Sequence, residues 1–281
     1  MTIPFLKMHG AANDFVVVDH RSPFLPPPGP ELEALLRRVC DRRRGVGADG
    51  VLLLEREAGQ DFAMRYFNAD GRPAEFCGNG ARCLARRALD LGLGTGGQVR
   101  FLTAAGPMSA RPSPTGAGIE LAFGLVDGAG PVEILCAAGR SFAGRRSRVG
   151  VPHLVVPVER VEAVPVAEWG AALRHHEGFG PAGTNVDFVT RLAPGRVALR
   201  TYERGVEGET LACGSGAMAA ALWAVAEGDV PPIAVMTAGG DELRVGLTAA
   251  GSRWEVTLTG PAEVAYAGEW NEPARTSMAR A

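Results

Sequence analysis

Cys77-Gly78-Asn79-Gly80-Ala81 and Cys213-Gly214-Ser215-Gly216-Ala217 share one pattern, Cys-Gly-polar-Gly-Ala, and their cysteines stand 136 residues apart, close to half of the 281-residue chain. Each copy runs into helix-forming residues, Arg82 to Leu89 and Met218 to Val225. Glycines directly after a cysteine at a strand-to-helix turn leave backbone N–H groups uncovered at the helix start, where they bind an anion such as a carboxylate. The same partial positive charge favours thiolate over thiol. Two such turns on two related halves imply a site between the halves, with one thiol on each side of a substrate. That arrangement suits removal of a proton from one face of a carbon and return of a proton to the other. One sulfur acts as base and the other as acid, while fixed amide dipoles stabilise the enolate-like carboxylate. One such turn alone reads as structural, because cysteine is commonly a small buried hydrophobe; the repetition favours catalysis. Cys40, Cys83 and Cys136 lack this context and read as core or incidental residues.

Working outward, the first half reads as strands at Phe5–Met8, Phe15–Asp19, Val51–Glu55, Phe62–Asn68, Gln98–Ala104 and Ile119–Phe123. A helix over Glu31–Asp41 has Leu32, Leu35, Leu36 and Val39 on one face. His9 to Asp14 forms a small polar loop, Pro23 to Pro30 a surface connector, and Gly45 to Gly50 a glycine loop entering a strand. The second half repeats the style, with strands at Val132–Ala137, His153–Val158, Val186–Thr190 and Val197–Glu203 and a helix over Val166–Arg174. Ile233–Thr237, Glu242–Thr248 and Arg253–Leu258 read as a closing antiparallel meander. Most connections are too short for parallel crossovers. The expected fold is therefore α+β: two pseudo-symmetric halves, each a mostly antiparallel or mixed sheet wrapped around a central helix, with the active site in the cleft between them. The expected division is 1–125, carrying Cys77 and joined by the C-terminal segment 265–281, and 126–264, carrying Cys213.

Composition narrows the function. A hydrophobic share of 46% with 21% charged residues is that of a globular chain that buries a real core. A net charge of −2 supplies no general pull toward nucleic acid or an anionic membrane, so neither is an expected partner. Arg42-Arg43-Arg44 and Arg145-Arg146 are short enough to be solvated faces or local anion contacts. The five cysteines show no metal-ligand spacing, which points to a reducing compartment and no metal. Cys77 and Cys83 point apart on a helix that turns about 100° per residue, against a local disulfide. Residues 1–10 lack the charged-then-apolar pattern of a signal peptide, and no apolar run is long enough to span a bilayer. The expected location is the cytoplasm.

With these residues in view, the chain resembles the diaminopimelate epimerase family over essentially its whole length. Lys7-Met8-His9-Gly10-Ala11-Ala12-Asn13-Asp14-Phe15 is similar to the family's K-M-H-G-x-G-N-D-F, with Ala12 at the second glycine. Arg44 to Gly50, Phe67 to Gly71 with Cys77 to Cys83, Tyr202 to Gly205 with Glu209 to Ala217, and Leu258 to Ala262 match its other motifs. The resemblance implies a cofactor-independent epimerase acting on a small diamino dicarboxylate, and a homodimer. It implies Cys77 and Cys213 as the acid–base pair. It implies Gly78, Asn79, Gly214 and Ser215 at the reacting centre, and Asn13, Asn68, Asn185, Glu203 and Arg204 around the rest of the substrate. An Arg204 fork on the distal carboxylate makes physical sense, because a planar guanidinium grips a carboxylate bidentately. His153 stands where the family has a histidine near the thiols. Three departures are visible. Val151 replaces the asparagine common in the family's G-N-P-H, the stretch from Glu203 to Cys213 is one residue longer than the commonest form, and Gly50 replaces a glutamine of some members. A racemase of another amino acid, such as histidine, shares the two-thiol logic, and a thiol-redox or binding protein is the reading from another class.

Overall fold

The computed structural model describes residues 1–116 and 118–272. In the first half the chain runs β1 (Thr2–Gly10), β2 (Asn13–Asp19), α1 (Pro30–Cys40), β3 (Gly50–Glu55), β4 (Phe62–Asn68), β5 (Pro73–Ala74), α2 (Gly78–Asp90), β6 (Val99–Thr103), β7 (Gly106–Pro112) and β8 (Ile119–Asp127). In the second it runs β9 (Val132–Ala137), β10 (Arg140–Val149), β11 (Val151–Pro157), α3 (Val166–Arg174), β12 (Asn185–Ala193), β13 (Arg196–Glu203), β14 (Gly208–Thr210), α4 (Gly214–Ala226), β15 (Ile233–Met236), β16 (Glu242–Ala250) and β17 (Arg253–Gly260). β18 (Glu263–Asn271) then returns to the first half and pairs antiparallel with β1. The part of the expected 265–281 segment beyond residue 272 lies outside the described residues.

The hydrogen-bonded neighbours show two matching runs. β1–β2 is antiparallel, β2–β3 parallel, β3–β4 antiparallel, β4–β6 parallel, and β6–β7–β8 antiparallel. β10–β11, β11–β12, β12–β13, β13–β15 and β15–β16–β17 repeat that order of directions. β8 and β17 pair antiparallel, so the two expected sheets are joined edge to edge into one.

Each half is layered helix, sheet, helix. β3 is buried on both faces, as a strand covered by helices must be. Its Leu52 and Leu54 face α2 with Met8, Phe15, Phe62 and Leu121, while Val51 and Leu53 face α1 with Leu35, Leu36 and Phe67. In the second half Val189, Leu199, Val245 and Leu258 pack on α4, and Leu154, Val186 and Phe188 pack with Leu173 of α3. α4 is apolar around its whole circumference, which is the pattern of a helix enclosed by its sheet.

β7, β10 and β18 carry no strand signal in the sequence. In β10 the arginines at 140, 145, 146 and 148 interrupt the apolar pattern, although Phe142, Ser147 and Val149 are buried. β18 exposes most of its side chains and is held by its ladder with β1. Pairing of that kind leaves no mark in hydrophobic spacing.

Candidate active site

Cys77 and Cys213 are the residues immediately before α2 and α4, each in extended conformation, so each sulfur sits at a helix N-terminus. The two N-termini abut. A Cβ placed on Gly214 would lie 4.0 Å from Gly78 Cα and 3.1 Å from Leu258 Cδ2, which places the two turns in contact. Asn79 spans the junction. Its Nδ2 donates to Asn13 Oδ1 at 3.2 Å and to the carbonyl of Ala212, directly before Cys213, at 3.3 Å.

The Cys77 thiol donates to Asn13 Oδ1 at 3.4 Å, and Asn13 Nδ2 donates to Asp49 Oδ2 at 2.7 Å. Lys7 and Arg42 pair with Asp14 beside this loop. Burial opposes ionisation of Asp14, but hydrogen bonds from Arg42 and Lys7 hold its carboxyl well below the usual range. Ala12, at the family's second glycine, adopts φ 62°, in the left-handed region where glycine meets no Cβ cost.

The Cys213 sulfur accepts from the Gly216 N–H at 3.4 Å and lies 3.5 Å from Ser215 Oγ. Burial pushes both thiols up. Cys77 reaches about 11, with amides of Gly80 and Asn79 and the Arg82 guanidinium pulling down and Glu203 pushing further up. Cys213 is pushed well above its ordinary value by burial, then by the carboxylates of Glu203 and Asp187. Burial also raises the Glu203 carboxyl.

Asn185 and Arg204 are brought together, since the Arg204 backbone N–H donates to Asn185 Oδ1 at 2.7 Å. The Arg204 guanidinium has no hydrogen-bond or ion-pair partner among the described residues. Asn68 ends β4 with its side chain exposed. His153 is buried, and its ring nitrogens meet Asp187 and Asn185; neither bonds a thiol. Glu203 pairs with Gly208, so residues 204–207 form the turn between β13 and β14. Glu207 ties that turn to Arg174 of α3 at 2.9 Å. Gly50 has a local reason as well: a Cβ there would stand 2.7 Å from Tyr66 Cε2 and 2.5 Å from the Phe67 carbonyl oxygen. Among the described residues no group of three or more His, Cys, Asp or Glu side chains is gathered to hold a metal ion. No described helix is long and apolar enough to cross a membrane.

Residues 5–124 and 147–265 match the family model described as diaminopimelate epimerase. The chain belongs to the diaminopimelate epimerase family. It is 41% identical to the diaminopimelate epimerase of Aquifex aeolicus over 277 residues, covering 95% of this chain and 98% of the relative. It is 42% identical to that of Desulforudis audaxviator, with 95% and 98% covered. The fold is shared more widely. A Bacillus anthracis phenazine biosynthesis protein of the PhzF family superposes with a TM-score of 0.71 at 13% identity, covering 96% of this chain and 99% of that one. A hydroxyproline epimerase from Agrobacterium vitis superposes with a TM-score of 0.68 at 20% identity, covering 95% and 92%.

The candidate residues read from the sequence leave out several side chains packed around the thiols. Arg82 is fully buried, donating to Asn79 Oδ1 at 2.7 Å and to the Pro261 carbonyl at 3.2 Å. Asp187 and Thr201 lie below α4, and Tyr66 lies against Gly50. Arg82 occurs inside the Cys-Gly motif, three residues after Asn79, where a helix places both on one face. Asp187 is an acidic residue flanked by Val186, Phe188 and Val189 in the buried part of β12, a signal in the sequence that could single it out.

Proposed function

We propose that this chain epimerises LL-2,6-diaminoheptanedioate to the meso isomer, without a cofactor, by proton exchange between two thiols and the α-carbon. The observation that carries the reading is the meeting of two equivalent Cys-Gly turns at abutting helix N-termini. The α-carboxylate binds the uncovered amides around Gly78, Asn79, Gly214 and Ser215, where helix dipoles favour negative charge. Cys77 and Cys213 then flank the α-carbon. The amides stabilise the enolate-like state as the proton leaves.

Both thiols are protonated in the free enzyme at neutral pH, because burial and Glu203 push them up. An incoming ammonium paired with Glu203 cancels the repulsion that this carboxylate exerts on both sulfurs. Substrate binding thus lowers the cost of forming the single thiolate that the first step needs. The distal carboxylate pairs with the unpartnered Arg204 guanidinium. Asn13, Asn68 and Asn185 complete the polar lining, and His153 supports it from below. Closure around the substrate excludes water and protects the carbanion-like state.

We read residues 1–125 with the returning C-terminal segment as one unit and 126–264 as the other, a division supported by the matching strand directions. A homodimer completes the reading. The edge strand β18 offers half-exposed Val264 and Tyr266 for contact with a second copy. All five cysteines are free, which supports a cytoplasmic enzyme.

Proton exchange in D₂O tests the activity. Reduced, metal-free and pyridoxal-free protein is given LL-diaminopimelate and, separately, L-histidine, followed by NMR at the α-position. Deuterium entry with inversion of one of the two diaminopimelate centres is the expected result. Exchange with histidine alone moves the substrate to another amino acid of the same chemistry. No exchange with either, in reduced folded protein, refutes the epimerase reading and leaves a redox or binding role.

A further inference from the structure

The matching registers of the two halves give residues under α2 equivalents under α4. β2–β3 and β3–β4 pairings place Phe15 beside Gly50 and Leu52 beside Tyr66; β11–β12 and β12–β13 place His153 beside Asn185 and Asp187 beside Thr201. Under the first turn of α2, the side chains nearest Gly80 are Leu52 and Phe15. Under the first turn of α4, those nearest Gly216 are Asp187 and Thr201. The first turn of one helix therefore rests on Leu52 and Phe15, and that of its twin on a carboxylate and a hydroxyl, with the His153 imidazole bonded to the carboxylate. The side chains of His153 and Asp187 are both 0% exposed.

Hydrogen-bond complementarity gives this buried cluster a direction. The Arg204 N–H donates to Asn185 Oδ1 at 2.7 Å, so Asn185 presents its NH₂ group to His153 Nε2 at 3.4 Å. Nε2 must accept, which places the imidazole proton on Nδ1. That N–H donates to Asp187 Oδ2 at 2.7 Å, and Asp187 Oδ1 accepts from Thr201 Oγ1 at 2.8 Å. The Asp187 carboxylate also lies under the N-terminal turn of α4, where the helix dipole favours a negative charge. Buried ionic groups generally add less stability than well-packed apolar side chains. At the equivalent places under α2 stand the apolar Phe15 and Leu52, so an acid and an imidazole are not a requirement of such a helix start itself.

We infer that Asp187 is a positioning residue for substrate recognition. It holds His153 as the Nδ1–H tautomer, His153 orients the Asn185 amide, and Asn185 fixes the backbone N–H of Arg204. The relay sets where the Arg204 guanidinium meets the distal carboxylate. This step rests on the reading of Arg204 as the distal grip. Asp187 itself touches neither substrate nor thiol in this role.

Two measurements on the full chain test it. In ¹⁵N-histidine spectra of the wild-type protein, His153, one of five histidines and assigned by its loss in a His153→Phe variant, gives the Nδ1–H tautomer pattern. An Nε2–H or imidazolium pattern overturns the relay, whatever the substrate proves to be. In kinetics, Asp187→Leu raises KM for diaminopimelate by about ten-fold, as expected for a misplaced charge-assisted hydrogen bond, and changes kcat much less. The pair His153→Phe with Asp187→Leu reproduces the Phe15 and Leu52 packing of the first half. It keeps the fold if the single variant does not, and shows the same rise in KM. A folded variant with unchanged KM, or one that loses kcat alone, overturns the inference. If the wild-type protein fails to exchange deuterium into diaminopimelate, the substrate reading fails separately, and the tautomer measurement still decides the relay.

Discussion

The turn at Cys77 and the turn at Cys213 have the same backbone and different surroundings. The first sulfur is half-buried, donates to Asn13 Oδ1, and has Asn79 and Arg82 close behind it. The second is buried, accepts from the Gly216 amide, and feels the carboxylates of Glu203 and Asp187. The two repeats supply a pair of anion-binding helix starts, and the side chains beneath them make the pair unequal. The reaction itself needs only one proton shared between the two sulfurs, so the inequality bears on which of them holds it.

The sharpest way to break this comparison is to remove one sulfur at a time. Cys77→Ala and Cys213→Ala should each lower inversion by about 10²–10⁴-fold, the usual worth of a positioned acid or base. The remaining thiol should still wash deuterium into the α-position without inversion, read by NMR. Wild-type inversion in either variant would end the two-thiol account. Next in size, Arg204→Ala should raise KM for diaminopimelate by about 10–100-fold, because charge-assisted hydrogen bonds contribute about 1.5–3 kcal/mol.

The packing under the helices supplies a smaller, more local contrast. A Cβ at residue 216 would stand 2.5 Å from Asp187 Oδ1, held by His153 and Thr201, whereas one at residue 80 meets the flexible end of Leu52 at 3.0 Å. Gly216→Ala should cost about 1–3 kcal/mol in urea unfolding, and Gly80→Ala distinctly less. Equal losses would mean that the polar cluster is no more rigid than the apolar one. The smallest effect is in reactivity toward iodoacetamide, followed by mass spectrometry. A thiol with a raised pKa is protonated at neutral pH, so alkylation of Cys77 should climb by about ten-fold per pH unit and level off only above about 11. Cys213, the more deeply buried of the two, should lag; faster alkylation of Cys213 would contradict that difference in burial.

Several parts of this molecule are legible in the amino-acid sequence. The twin Cys-Gly turns, the amphipathic spacing of Leu32, Leu35, Leu36 and Val39, and the apolar run of Val51 to Leu54 are local patterns that report their own secondary structure. β10 and β18 are not legible, because the partners that order them are not local: β18 zips onto the other end of the chain at β1. Among site residues, the motif-borne Cys77, Cys213, Asn79 and Arg204 stand out in the sequence. His153 stands out without its role, since nothing local says that its ring is committed to Asp187 and Asn185 rather than to a sulfur.

The reading of Arg204 as a grip for a second carboxylate comes from the family resemblance, while local patterning fixes two thiols at glycine-rich helix starts and a fold of two repeats. Short-range spacing suffices for that, because helix starts and strand periodicity are written within a few residues. How the repeats meet is a matter of tertiary packing alone, with Gly78 against Gly214 and Asn79 bridging to Ala212. The inequality of the two thiols has the same origin. The electrostatic environment of a buried group is set by what the fold packs against it, and for Cys213 that includes a carboxylate 26 residues upstream, brought beneath its helix by the register of the sheet.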